Sequence, residues 1–190
     1  IAGHSYNSTD MSVYLKDGVL ILYTDGDITF GTGTVSANSW THIAVTRQNG
    51  VVYGYYNGVL NGSTSFTTSL NGASNYIVGI NPSDLSSEPF LGYISNLRVC
   101  KGHAVYTSNF AVPTRELEVH QGPDDDRTVL LCCYDGENIF ADKSGRHIIA
   151  ANGDRLSSPT PTATDSPIGI TTFQPGLTKD VDVTAGPVFQ

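Results

Sequence analysis

The segment from Trp40 to Leu60 reads WTHIAVTRQNGVVYGYYNGVL and holds the residue types best suited to chemistry. His42 could act as a general base, and Arg47 could bind an anion. A general base needs a nucleophile or an acid within reach, however, and no such residue lies nearby in the sequence. The spacing therefore favours a packed, hydrogen-bonded histidine and a salt-bridged arginine over a catalytic pair.

Paired carboxylates are the other chemistry to consider, because glycoside hydrolysis uses two of them roughly 5 to 9 Å apart. On a β-strand, acids at positions i and i+2 point to the same side. Glu116 and Glu118 have this spacing, but they lie in a proline-flanked connector. Nucleophile-elbow, phosphate-loop and H-E-x-x-H patterns are absent as well. We therefore predict that the protein is not an enzyme.

Acidic turns point to calcium as the one candidate cofactor, since this ion prefers hard oxygen ligands. Asp25 and Asp27 flank Gly26 and are weak candidates, because two aspartates around a glycine are also ordinary turn residues. The run from Asp124 to Asp126 is explained equally well by a solvated charge cluster. We predict no cofactor, with calcium at Asp25 and Asp27 as the alternative.

Three tyrosines, Tyr53, Tyr55 and Tyr56, are weak candidates for carbohydrate or partner binding. Aromatic faces stack on sugars, and tyrosine is enriched at protein interfaces. Alternation along a strand places Tyr53 and Tyr55 on one face and Tyr56 on the other. Since one face of each sheet must form core, we expect about half of these side chains to be buried.

The charge balance argues against two classes of partner. The 190 residues include 10 basic and 18 acidic side chains, for a formal net charge of -8. We therefore predict neither nucleic acid nor a membrane as a partner, because both surfaces attract basic proteins. No run approaches the roughly 18 apolar residues of a membrane-spanning helix. Cys100, Cys132 and Cys133 match neither a disulfide framework nor a zinc motif, which favours small buried thiols.

Period-two alternation runs from Trp40 to Gln48, which is typical of a half-buried strand. Short β-rich runs separated by glycine-containing turns continue in both directions, so we predict an all-β protein, an antiparallel β-sandwich of jelly-roll type. No helix is expected before residue 101. The predicted turns are Asp17-Gly18, Asn49-Gly50, Asn57-Gly58, Asn61-Gly62 and Asn71-Gly72. The predicted strands cover 11–16, 18–25, 40–48, 51–56, 75–80 and 128–135, and residues 88–100 are predicted as one long strand or a bent pair.

Composition divides the chain in two. Residues 1–149 have the β pattern, and we predict that they form one sandwich domain. Residues 150–190 are rich in proline and threonine with too little apolar surface for a core of their own. We predict that this second region is an extended arm that lies along a neighbour. Because the first residue is Ile1, the chain looks cut from a longer or processed protein.

Several stretches resemble the laminin G-like, concanavalin A-like lectin/glucanase superfamily. Its pattern W-x-H-(aliphatic)-A-(aliphatic)-T-R is matched from Trp40 to Arg47, its Tyr-Asn-Gly turn at 56–58, and its G-Y-I-x-x-(aliphatic)-R-(aliphatic) strand from Gly92 to Val99. Residues 101–114, followed by T-x-L-L-C at 128–132 and D-x-S-G at 142–145, are similar to the version common in phage and marine-virus virion proteins.

Two of the family's features are missing from these residues. The acidic E-x-D-x-x-E stretch of the glucanase members is absent. The usual first strands, of the F-T-I-E-x-W kind, are absent too, so the sandwich would lack those strands unless residues outside this chain or a partner supply them.

The resemblance implies a concanavalin A-like sandwich over about residues 10–150 and a non-enzymatic module of a virion, in capsid decoration, a fibre or the tail. Its partners would be other virion subunits, in a homo-oligomer, together with glycans of the host surface. The alternative is a secreted, extracellular adhesion or lectin domain that depends on calcium. A glycoside hydrolase is the third and weakest reading.

Overall fold

The structure is a computed structural model that describes residues 1–3, 11–70, 76–84, 88–119, 127–135, 138, 140–151 and 181–184. Within these ranges the chain forms twelve strands and no α-helix, and every strand pairing is antiparallel, which confirms the all-β prediction. In chain order the strands are β1 (Ala2–Gly3), β2 (Ser12–Lys16), β3 (Val19–Tyr23), β4 (Asp27–Thr29), β5 (Ile43–Gln48), β6 (Val51–Tyr56), β7 (Val59–Ser65), β8 (Tyr76–Val78), β9 (Leu97–Cys100), β10 (Thr128–Cys132), β11 (Ile148–Ala151) and β12 (Val181–Thr184).

These strands form one large sheet and two small ones. The large sheet has the order β11-β12-β8-β1-β2-β3-β4, one small sheet has the order β5-β6-β7, and the other pairs β9 with β10. Strand β12 belongs to the predicted arm and lies between β8 and β11. Residues 152–180 and 185–190 of that arm lie outside the described residues. No helix in the described part of the chain is long and apolar enough to cross a membrane.

Tight turns with left-handed backbone connect the hairpins. Asn49 and Gly50 have φ values of 50° and 75°, respectively. Positive φ at both central positions is typical of the two-residue turn whose twist matches the flanking strands, and asparagine and glycine tolerate it best. Three predicted turns are confirmed by this geometry, at Asp17-Gly18, Asn49-Gly50 and Asn57-Gly58, while Asn71-Gly72 lies outside the described residues.

The turn predicted at Asn61-Gly62 is wrong. Both residues lie inside β7, where the register against β6 shifts between Gly54 and Tyr55. A register shift of this kind is a β-bulge, in which one strand carries an extra residue. The side-chain amide of Asn61 donates to the carbonyl of Phe30, so the asparagine connects β7 to the loop after β4.

The strand predicted over 88–100 is limited to its last four residues, Leu97–Cys100. Glu88 and Asn96 both have a φ of 52°, a left-handed conformation that interrupts an extended strand. The N–H of Phe90 donates to the carbonyl of Gly79 across 2.8 Å, which holds the segment in an irregular path beside β8.

The apolar core divides into two clusters. One gathers around β8 and β10 and includes the fully buried Val78 and Leu130. The other joins β3 to β6 and includes the fully buried Leu20 and Phe30. Met11 is partly buried and packs against both clusters. The sandwich is therefore not filled by one continuous core.

The three cysteines are free thiols, and the predicted burial is confirmed for Cys132 and Cys133 but wrong for Cys100. Cys132 and Cys133 are buried, and their sulfur atoms lie 3.7 Å apart without a covalent bond. Cys100 is partly exposed, and its sulfur lies 3.7 Å from the hydroxyl of Thr128. The hydrogen bond with Cys133, together with burial, raises the pKa of the Cys132 thiol and keeps it protonated.

Candidate binding cleft

An open cleft of about 1370 Å³ lies between the two core clusters. Strands β5 and β9 form its walls, and its lining includes members of both clusters, such as Leu22 and Tyr76. Its volume exceeds the roughly 300 to 1,000 Å³ of a typical small-molecule pocket. The cleft is large enough to receive another molecule.

Strands β5 and β9 are edge strands on the sides that face the cleft. Among the described strands, β5 pairs only with β6 and β9 only with β10. Ile43 and Val45 on β5 pack against one cluster, and Leu97 and Val99 on β9 pack against the other, yet all four are only partly buried. The cleft therefore leaves inward-facing apolar surface open to solvent.

The hydrogen bonds of β5 show which backbone groups border the cleft. The N–H of Asn57 donates to the carbonyl of His42 across 2.8 Å, so these two residues form a bonded pair. Bonded and non-bonded pairs alternate along an antiparallel ladder. The N–H and C=O groups of Ile43, Val45 and Arg47 therefore point away from β6, on the side of the cleft.

The same alternation applies to β9. The N–H of Asn96 donates to the carbonyl of Cys133 across 3.0 Å, and the register continues from Leu97 opposite Cys132. Asn96 and Cys133 both have a positive φ, so the regular ladder does not include this pair. Within the ladder, the N–H of Leu131 donates to Asp142 and its carbonyl accepts the N–H of Lys143, so both groups point away from β9 and Leu131 forms a non-bonded pair with Arg98. The backbone groups of Arg98 therefore point away from β10, on the side of the cleft. Both walls thus present backbone donors and acceptors to the cleft, from core-facing residues on β5 and from the outward-facing Arg98 on β9.

An irregular segment, residues 101–114, covers the outer face of β5 and β6. Thr46 donates its hydroxyl hydrogen to the carbonyl of Tyr106 across 2.9 Å, and the N–H of Phe110 donates to the carbonyl of Gly58 across 2.9 Å. The rings of Tyr106 and Phe110 stack with centroids 3.5 Å apart. His42 meets both rings edge-on, at centroid distances of 6.1 Å and 5.4 Å.

The mouth of the cleft has a second aromatic contact. The rings of Trp40 and Tyr93 lie 6.4 Å apart at an interplanar angle of 46°. Tyr93 is 38% exposed, and the neighbouring Leu91 is 73% exposed. Aromatic residues with part of their surface open are frequent at recognition sites, because they add apolar contact at a small cost in conformational entropy.

The cleft is basic although the protein is acidic. Four permanently charged cations line it, and none of its described lining residues is an aspartate or a glutamate. The chain as a whole has a formal charge of -8, so the cleft is an exception to the general surface. An occupant with acidic groups is favoured there by electrostatic complementarity. The four cations are Arg47, Arg98, Lys101 and Arg115.

The pKa of His42 reflects its burial and the nearby positive charge. Burial lowers its pKa below the ordinary value of 6.5, and the positive charge of Arg98 lowers it further. Its Nδ1 atom is buried without a hydrogen-bond partner in the described structure. The histidine is thus a neutral, packed group beneath Tyr106 and Phe110, and no nucleophile lies in contact with it among the described interactions.

The three candidate tyrosines do not form one surface. Tyr55 is fully buried, with its ring 5.5 Å from that of Phe110. Tyr56 faces the interior, where its hydroxyl oxygen accepts the N–H of Leu20 across 2.6 Å. Tyr53 is half-buried on the same face as Tyr55. A role for these residues in carbohydrate binding stays a prediction, although neither Tyr55 nor Tyr56 presents an open ring face.

The candidate calcium residues lie in the exposed turn between β3 and β4. Asp27 accepts the hydroxyl hydrogen of Tyr14 across 2.6 Å, and Asp25 has a φ of 77°. In the part of the chain that the structure describes, no three His, Cys, Asp or Glu side chains come together as a metal site. Calcium binding at this turn stays a prediction; the triplet Asp124 to Asp126 lies outside the described residues.

The spaced acids Glu116 and Glu118 have a structural partner. Lys143 lies 2.6 Å from a carboxylate oxygen of Glu116 and 3.0 Å from one of Glu118. Arg47, the other charged candidate, donates to the carbonyl of Thr68 and lies over the ring of Phe66, so it does not form the expected salt bridge there. These contacts give the two glutamates and Arg47 structural roles.

Sequence reasoning missed most of this cleft. Period-two alternation correctly separated His42 and Thr46 from Ile43 and Val45, but the proximity of β9 to β5 is a tertiary fact. The contribution of Tyr106 could not be predicted either, because residues 101–114 have no periodicity. The one usable signal was the resemblance, which indicated missing first strands without showing where they would lie.

One comparison with known proteins gives a match, and it agrees with this architecture. The laminin G-like model of the concanavalin A-like lectin/glucanases superfamily matches residues 5–104, which is slightly more than half of the chain. No curated protein and no solved structure matches at a significant level. The match and the antiparallel sheets together show that the chain belongs to the concanavalin A-like lectin/glucanases superfamily.

Proposed function

We propose that the chain is a non-enzymatic recognition and assembly module of a virion, in a capsid decoration, a fibre or the tail. The open cleft between β5 and β9 is the observation that carries the proposal. It combines exposed apolar surface, two strand edges and a basic rim, and its described lining has no carboxylate. Such a surface suits binding, whereas hydrolysis of a glycosidic bond needs two acids.

The virion setting is supported by the resemblance of residues 101–114, 128–132 and 142–145 to the closing region of phage and marine-virus virion proteins. In the structure, residues 101–114 cover the β5-β6 face, residues 128–132 are the buried strand β10, and residues 142–145 form a turn bonded to β10. The proposed partners are other virion subunits, including further copies of this chain, and host-surface glycans.

The secreted, calcium-dependent adhesion domain is the second candidate. It is supported by the exposure of Asp25 and Asp27 at one edge of the large sheet, where the carboxylate of Asp25 is not engaged in a described hydrogen bond. Glycan binding that requires calcium, and that disappears in the Asp25→Asn variant, would favour this candidate. Binding that is unaffected by a calcium chelator would favour the virion module.

The virion assignment is tested by locating the chain in infected cultures. Particles purified from a host infected with the virus that encodes this sequence are labelled with gold-conjugated antibody against residues 1–190 and analysed by peptide mass spectrometry. We expect label on the particle surface and peptides from the sandwich in the purified fraction. Recovery of the protein only from the particle-free medium would contradict the virion setting.

The non-enzymatic assignment has its own assay. The purified chain is incubated with a panel of polysaccharides, and new reducing ends are measured over a day. We expect no release above that of a heat-denatured sample, because the described cleft lining has no acid pair. Sustained release that increases with protein concentration would contradict the assignment.

A further inference from the structure

We propose that the cleft between β5 and β9 binds an extended strand of a partner polypeptide, which joins the two small sheets into one. The occupant has apolar side chains at alternate positions toward the interior and an acidic side chain between them toward the rim. This inference deepens the proposed function, since it names the class of partner at the same site. It depends on the cleft as a binding surface and not on the virion setting.

The backbone geometry is the first support. Ile43, Val45 and Arg47 on one wall, and Arg98 on the other, direct N–H and C=O groups away from their own sheets. Exposed strand edges of this kind are templates for another strand, and binding by strand addition uses these groups as its main contacts. A small sugar or cofactor does not match two facing rows of alternating donors and acceptors.

The interior of the cleft is the second support. The side chains of Ile43, Val45, Leu97 and Val99 face the core but are only partly buried, and they belong to two separate clusters. A strand between the walls would place alternate side chains against both clusters. Because the burial of apolar surface stabilises a complex, valine or isoleucine at those positions would contribute most of the binding free energy.

The rim is the third support and sets the charge of the occupant. His42 and Arg98 occupy the alternate positions of β5 and β9, whose side chains point to the outer face under Tyr106. Burial and then the charge of Arg98 lower the pKa of His42, while burial raises the pKa of Tyr106 against the opposing effect of Arg98, so the charge of Arg98 acts within this space. With four cations and no carboxylate in the described lining, a glutamate on the outer face of the occupant is electrostatically favoured.

The test uses the full chain and a capped peptide of sequence VTVEVTV, fluorescently labelled through a Gly-Ser linker. Its valines match the interior face, its glutamate matches the rim, and its seven residues are enough to span the six residues of β5. Two control peptides have the same length: VTVKVTV reverses the central charge, and VTVPVTV removes a backbone donor in the middle. Binding is followed by fluorescence anisotropy, and the site by amide hydrogen exchange.

We expect the glutamate peptide to bind about tenfold more tightly than the lysine peptide, because a desolvated charge pair contributes strongly to affinity. The proline peptide should not bind measurably. Exchange should slow at Ile43, Val45 and Arg98, while the exposed edge strand β7 should exchange as before. Equal affinity for the three peptides, or protection confined to β7, would overturn the proposal.

A matched pair of variants separates the cleft from other edges. Val45→Lys places a charge in the interior of the cleft, whereas Ser63→Lys places the same charge on the exposed edge strand β7. We expect the first variant to lose peptide binding and the second to retain it. Should Val45→Lys not fold, the two control peptides on the unmodified chain provide the decisive comparison.

Other occupants give distinct results. Protection of β5 and β9 in the unmodified chain alone, as a monomer, would show that another segment of the same chain fills the cleft. The same protection in a dimer, lost on dilution, would show that a second copy fills it. Either result would overturn a partner strand. If the peptide does not bind but the chain is found on virions, the strand site is wrong and the proposed function is retained. If the peptide binds but the chain is not found on virions, the virion setting is wrong and the strand site is retained.

Discussion

The carboxylate of Asp142 accepts the N–H of Leu131 across 3.0 Å, which connects the turn before β11 to the middle of the fully buried strand β10. The other hydrogen bonds of this carboxylate come from within its own turn, including the N–H of Ser144 at 2.9 Å and its hydroxyl at 2.7 Å. The Ser144 hydroxyl oxygen also lies 2.9 Å from the carbonyl of Val129. The D-x-S-G motif is therefore a structural clamp.

Replacing this carboxylate should destabilise the fold. We expect Asp142→Ala to lower the free energy of unfolding by about 2 to 4 kcal/mol, because several backbone N–H groups lose a charged acceptor at once. Urea denaturation followed by circular dichroism gives the measurement. As a control, Glu118→Gln removes an exposed carboxylate with one ion pair and should cost less than about 1 kcal/mol. Equal losses in the two variants would contradict the clamp.

Gly54 is a site where no side chain fits. A Cβ atom built there would overlap the ring of Phe30, which is fully buried against the inner face of β6. We expect Gly54→Ala to destabilise the protein by about 1 to 3 kcal/mol through overpacking. The double variant Gly54→Ala/Phe30→Leu has space for the methyl group and should cost less than the sum of the two single changes. Thermal unfolding of all three variants tests this coupling.

The amino group of Ile1 predicts a pH dependence in a polypeptide that starts at this residue. Burial lowers the pKa of this group from 8.0 to about 5. Above pH 8 the amine is neutral in both states and has no effect on stability. As the pH falls from 8 to 5, the unfolded chain binds a proton that the folded chain excludes, so stability decreases, by about 4 kcal/mol in total at 1.36 kcal/mol per pKa unit.

Acetylation supplies the control for that experiment. An Nα-acetylated chain cannot take up this proton, so its free energy of unfolding should change less between pH 8 and pH 5 than that of the free amine. The difference between the two curves isolates Ile1 from the other titrating groups. Identical curves would show that the amine is solvated in the folded protein.

The pKa of His42 should respond to Arg98. The Arg98→Gln variant removes the positive charge but leaves the histidine buried, so its pKa should rise while staying below 6.5. Arg115→Gln, which removes another cation of the cleft lining, should leave the value nearly unchanged. Titration of the imidazole protons by NMR measures both. If the pKa of His42 rises equally in the two variants, the shift comes from the summed charge of the cleft and not from Arg98 in particular.

Much of the local structure could be predicted because its causes are local. Asn49-Gly50 forms its turn because both residues tolerate positive φ, and alternation from Ile43 onward separates core from outer face. The prediction at Asn61-Gly62 was wrong because the same dipeptide also suits a bulge when neighbouring strands supply partners. The extended run before Leu97 was wrong because contacts with Gly79 override β propensity.

The sequence by itself determined the all-β class, three tight turns, the burial of Cys132 and Cys133 and the family resemblance, since each depends on residue type and short-range spacing. Only the tertiary structure decided that Tyr55 lies beneath Phe110 and that β5 and β9 face each other across a basic cleft. Which distant strands become neighbours depends on how the sheets pack. Period-two alternation does not determine this, because every strand with an inward-facing apolar side has the same pattern.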